Sequence, residues 1–169
     1  GYPEDVQSYM DDVEIKSAAD GGSYFENMLA ISKEQAKNLI EHQDEPIDKN
    51  DWGMAVYTVN AMYDSLANSI TFPAGILQAP IYDVKASYEE NLGGIGYIIA
   101  HEITHAFDNN GAKFDENGNA TDWWTEEDAK KFEERAQVMV NFFDSIEVAP
   151  GVHANGSLTL GENIADHGG

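Results

Sequence analysis

The sequence predicts an α+β fold, mainly helical, with a small β-hairpin at its edge. Apolar residues recur at helical spacing in several long stretches. One short segment alternates with period two and is rich in β-branched and aromatic residues, and glycine and asparagine turn signals separate these pieces. With 169 residues and 42% hydrophobic content, the chain suffices for one domain with a core, and a single domain is expected over 1–169.

The first 22 residues are acidic and end in the break Asp20-Gly21-Gly22. A helix is expected from about Ser23, where Tyr24, Phe25, Met28 and Leu29 fall at helical spacing. A second helix is expected from Ser32, with Glu34 behind it, to about His42, running into the loop Asp44-Glu45-Pro46. From Trp52 the pattern changes: Val56, Thr58 and Asn60 alternate with Tyr57, Val59 and Ala61, which predicts a strand. Asp64 to Asn68 is turn-like, and Ser69 to Phe72 resumes as a strand that Pro73 ends, completing a hairpin. Residues 73–82 read as a buried irregular connection. Asn91 to Ala100 is almost wholly apolar and feeds into His101, as a buried helix with glycines for close packing would. Turn signals follow at Asn109-Asn110-Gly111 and Glu116-Asn117-Gly118. From Thr125, with Asp128 three residues on, an exposed amphipathic helix carries Phe132, Ala136, Met139, Val140 and Phe143 on one face and ends near Ser145. A loop with Pro150 and Gly151 leads to a terminal helix that contains Glu162 and Asp166.

Composition narrows the function classes. Thirty-one acidic residues against nine basic ones give a formal charge of -22, which opposes binding to nucleic acid and to anionic membranes. Apolar runs are broken well short of the roughly 20 residues that cross a bilayer, so no membrane span is expected. With no cysteine, any metal must be held by His, Asp or Glu, and the compartment expected is the cytoplasm or the exported space of a bacterium. The chain opens at Gly1 without a methionine or a signal-like segment, as a processed or excised piece would.

His101-Glu102-Ile103-Thr104-His105 is a HExxH pattern. On a helix its four-residue spacing turns through about 400°, which leaves both imidazoles on one face. Glu102, about 100° round from His101, can reach a metal-activated water as general base without taking a coordination position. The pattern alone also fits two core histidines beside an incidental glutamate. That arrangement buries a carboxylate at the end of an apolar helix, at a cost of several kcal/mol. A catalytic zinc needs a third protein ligand. Glu162 is the best candidate, because Glu162 and Asp166 share one helix face and Asp166 can then accept from a ligand histidine. A helix-dipole carboxylate and a solvated aspartate explain the same spacing. Asp108, three residues past His105, either supports that histidine or caps the helix. Asp115-Glu116-Asn117-Gly118-Asn119 fails as a calcium loop, since its glycine falls at the wrong position and no bidentate glutamate closes it.

Four ordered stretches carry a resemblance. They are Val59 to Tyr63, Ile70 to Gln78, Gly93 to Gly111 with the HExxH, and Gly161 to Gly169, joined by Asp122-Trp123-Trp124-Thr125. Through them the chain resembles the neprilysin and endothelin-converting enzyme family of zinc endopeptidases, which includes bacterial oligopeptidase O. The resemblance implies a thermolysin-like zincin core and one zinc ion. It assigns His101, His105 and Glu162 as zinc ligands, Glu102 as catalytic base and Asp166 as the carboxylate orienting a ligand histidine. It also implies peptide substrates held by Asn60 and Ala61, in accord with an edge strand there. The family's helical region ahead of the catalytic core, its oxyanion-stabilising histidine and a nearby arginine have no counterpart in these 169 residues. The expectation is therefore a partial catalytic domain whose partners include the remaining segments of a longer enzyme. A zinc-dependent peptide-binding module without hydrolysis is the alternative. A thermolysin-like enzyme of another family is opposed by Asn60-Ala61 and by Phe72 to Leu77. His167 is read as a surface residue. The sequons at Asn119 and Asn155 matter only on a secretory route.

Overall fold

A computed structural model describes residues 10–11, 13–48 and 53–169. The chain forms two compact units, 1–53 and 54–169. Trp52, from which the strand pattern was expected, lies outside the described residues.

In the first unit a 3-10 turn at Ala18–Asp20 precedes helix α1, Tyr24–Glu41. Ser23 caps α1: its side chain accepts from the Glu26 backbone N–H, and the Glu26 carboxylate accepts from the Ser23 backbone. The two expected helices are this one helix. Ser32 lies in its interior, and between Tyr24 and Glu41 no glycine or proline interrupts the ladder. Asn27 ties the preceding segment to α1 by accepting from the Lys16 backbone N–H at 3.1 Å and donating to the Lys16 carbonyl at 2.8 Å.

The second unit begins with a turned segment and a hairpin. Strand β1 is Met62–Asp64 and β2 is Ser69–Thr71, paired antiparallel with Met62 opposite Thr71. The hairpin is where the sequence places it, but the first strand is shorter and later than 56–61. Residues 56–57 turn instead, because the backbone there crosses Gly75 so closely that a Cβ on Gly75 would stand 2.5 Å from the Thr58 carbonyl. Alternation in the sequence cannot report that contact. In the 73–82 connection Pro73 and Ile76 are buried, around a 3-10 turn at Ala74–Ile76, whereas residues 77–80 are exposed.

Ser87 caps the short helix α2, Tyr88–Asn91. A π-helical turn over Leu92–Gly96 then leads into α3, Tyr97–His105. The expected helix is present, but it is less buried than its composition implies: Leu92, Ile99 and Ile103 are exposed, and Glu102 is the buried residue of α3. Turns follow at both predicted places, the second closed by a bridge between Phe114 and Ala120.

Helix α4, Glu126–Asp144, is capped by Thr125, which accepts from the Asp128 N–H. Its buried and half-buried face includes Phe132, Ala136, Met139, Val140 and Phe143, the stripe read from the sequence. The loop expected after it is a second small hairpin of β3, Glu147–Ala149, and β4, Val152–His153, turned by Gly151 at φ 73°. Strands this short leave no legible alternation. The last helix, α5, spans Leu160–Gly168 and packs on α3, with Ala165 fully buried. The unit is thus mainly helical with two small antiparallel hairpins. Among the described residues no helix is long and apolar enough to cross a membrane.

Candidate metal centre

Helix α3 presents His101 and His105 one turn apart, and α5 brings Glu162 opposite them. One ligand atom from each of the three lies within 4.8 Å of the others. The His101 Nε2 and His105 Nε2 atoms are 3.0 Å apart, and they stand 3.5 and 3.7 Å from Glu162 Oε2. The glutamate is the open side of the group, with its side chain 71% exposed, whereas the histidine side chains are 16% and 18% exposed.

The other ring nitrogens are both engaged. His101 Nδ1 donates to Asp166 Oδ1 at 2.9 Å, and His105 Nδ1 donates to Asp108 Oδ2 at 2.8 Å. An ionised carboxylate only accepts, so in each neutral imidazole the proton sits on Nδ1 and Nε2 offers its lone pair. Asp108 plays both parts left open by its position. Its buried carboxylate supports His105 through Oδ2, while Oδ1 accepts from the Asn110 and Gly111 backbone N–H groups at 2.7 and 2.8 Å and closes the helix end.

Glu102 is only 6% exposed, and its carboxylate makes no hydrogen bond to another described residue. It borders an open cavity of about 390 Å³ together with His101, His105 and Glu162. Asn60 and Ala61 line the same cavity. They lie just ahead of β1 and not in a strand, where the alternation had placed them; Asn60 is exposed and Ala61 buried. His167 is exposed. Asp115, in the rejected calcium loop, is occupied by its own turn, accepting from the Asn117 and Asn119 backbone N–H groups, both at 2.9 Å.

Two tyrosines join these groups without standing out in the sequence. Tyr63 borders the cavity, and its pKa is raised by burial first and then by the negative charges of Asp64 and Asp108. Tyr97 donates its hydroxyl to Asp166 Oδ1 at 2.6 Å, the main reason its pKa is raised. Its spacing of one helical turn before His101 is the signal that could have found it.

A profile of Peptidase family M13 matches residues 60–169. The chain is 44% identical over 169 residues to the neutral endopeptidase of Lactobacillus helveticus, covering 100% of this chain and 26% of that protein. To human neprilysin it is 41% identical over 174 residues, covering 100% of this chain and 23% of that one. A crystal structure of the Mycobacterium tuberculosis zinc metalloprotease ZMP1 with an inhibitor superposes with a TM-score of 0.79 at 38% identity, over 85% of this chain and 23% of that chain. The chain therefore spans about a quarter of the length of the curated relatives it matches. Over that span, the chain belongs to Peptidase family M13.

Proposed function

We propose that the protein is a zinc-dependent metalloendopeptidase of short peptides, and that this chain is part of its thermolysin-like catalytic domain. The carrying observation is the convergence of His101 Nε2, His105 Nε2 and Glu162 Oε2 while both Nδ1 atoms are held by carboxylates. The donor set fits the ion. Zinc bonds of about 2.0–2.1 Å in tetrahedral array separate two donors by about 3.3–3.4 Å. The three separations here, 3.0, 3.5 and 3.7 Å, bracket that value. Two nitrogens and one carboxylate leave one position for a fourth partner, as in catalytic sites. The relatives named as neutral endopeptidase and zinc metalloprotease support the same reading.

When bound, zinc supplies a Lewis acid for the scissile carbonyl and brings a water near neutrality in pKa. Glu102, buried at the cavity wall with no other hydrogen-bond partner for its carboxylate among the described residues, is the group that would hold the proton of an attacking water and pass it to the leaving amine nitrogen. The cavity is open, and among the described residues β1 is paired on one side only, with β2, so an extended peptide can add along the segment from Asn60. There the Asn60 side chain and the Ala61 backbone hold it.

The test is zinc content by elemental analysis with cleavage of a quenched fluorescent peptide, on the full-length protein and its Glu102→Gln variant. One zinc per chain in both, with hydrolysis lost in the variant by about 10²–10⁴-fold, is the expected result. A folded protein without zinc would overturn the ligand assignment. Zinc and peptide binding without any hydrolysis in the full-length protein would leave a binding module instead.

A further inference from the structure

We propose that Tyr97 is a positioning residue for the metal centre: its hydroxyl fixes the Asp166 carboxylate, which in turn orients His101. The proposal rests on the reading of His101, His105 and Glu162 as metal ligands. The two histidines are supported unequally. Asp108, whose side chain is 5% exposed, is held by two backbone N–H groups before it meets His105. Asp166 is 60% exposed in its side chain and, among the described residues, its carboxylate accepts from no backbone group; its hydrogen bonds there are those from Tyr97 Oη and His101 Nδ1, both to Oδ1. Without the phenol, the carboxylate is restrained by His101 alone and is free to turn into solvent.

Tyr97 is itself well placed to act as a fixed donor. It sits one turn before His101 on α3, with ring centroids 6.3 Å apart, and its ring lies against the end of α5, where a Cβ on Gly169 would come within 2.7 Å of Cε2. Hydroxyl and carboxylate thus bridge the two helices that carry the ligands. Two effects of the hydroxyl oppose each other. Its hydrogen bond draws charge from Asp166 and weakens the support of His101, whereas its rigidity holds the carboxylate in line. At an exposed carboxylate water replaces the donated hydrogen bond but not the rigidity, so orientation wins.

The test is the zinc affinity of the full-length protein by chelator competition for wild type, Tyr97→Phe, Asp166→Ala and the double variant, with unfolding of each zinc-free protein. Phenylalanine keeps the ring packing and removes one hydroxyl. Outer partners of metal ligands typically contribute 10–100-fold in affinity, and Tyr97 acts one step further out. We expect about 3- to 10-fold weaker zinc binding in Tyr97→Phe, near-wild-type unfolding without zinc, and no further loss when Tyr97→Phe is added to Asp166→Ala. Unchanged or tighter binding in Tyr97→Phe, or full additivity in the double variant, overturns the role of Tyr97 and leaves the metal site standing. Absence of zinc from the folded wild type, by contrast, fails the underlying reading.

Discussion

Replacing Gly168 by alanine places a methyl group inside the contact between α3 and α5. A Cβ there would overlap Thr104 Oγ1 and lie 2.7 Å from Thr104 Cγ2 and 2.8 Å from its Cβ. Comfortable carbon contacts are about 3.5–4.0 Å, so the helices must part by roughly 1 Å. Thr104 cannot turn aside cheaply: it is β-branched, and its hydroxyl donates to the Ala100 carbonyl at 2.7 Å. Overpacking of this kind costs about 1–3 kcal/mol. The displaced helix carries Glu162 and Asp166, and a misplacement of about 1 Å can cost about 10²-fold in rate. Denaturant unfolding, zinc competition and peptide hydrolysis on the full-length protein read the three consequences. Thr104→Ala removes two of the three overlapping atoms, so the double variant should recover part of the loss. Gly93→Ala is the control. No atom lies within 4 Å of a Cβ there, and alanine in helical backbone is neutral or stabilising by up to about 1 kcal/mol. Were Gly168→Ala to unfold like wild type and keep its zinc affinity, close helix approach at this glycine would not set the site.

Asp108→Asn keeps an oxygen for the Asn110 and Gly111 N–H groups but turns a donor toward His105 Nδ1; zinc affinity should fall about 10–100-fold with the protein still folded, read by chelator competition. Asp115 contributes to acid sensitivity. Its pKa is lowered, chiefly by the Asn119 backbone N–H, against a smaller upward pull from desolvation. The native fold therefore favours the carboxylate: the stabilisation is present above the ordinary aspartate pKa and is lost as pH falls through the lowered one. Unfolding of wild type and Asp115→Ala followed from neutral pH downward should converge in acid; a constant gap would show that the charge is irrelevant.

The sequence by itself determined the elements whose signals are local. Ser23 and Thr125 cap helices through bonds to residues three positions on, and the α4 stripe follows from 3.6-residue periodicity. The two histidines share a face because spacing on one helix is fixed geometry. Long-range pairings were decided only by the tertiary structure. That Asp166 serves His101 depends on how α5 lies on α3, and that depends on the space Gly168 leaves beside Thr104. The approach of 56–58 to Gly75 overrides a period-two pattern, moving Asn60 and Ala61 off the strand while keeping them on the cavity. Tyr97 reads as one more apolar helix residue until Asp166, on another helix, arrives 2.6 Å from its hydroxyl. Periodicity reports the face a residue occupies, whereas the partner met on that face is set by packing between segments distant in the chain.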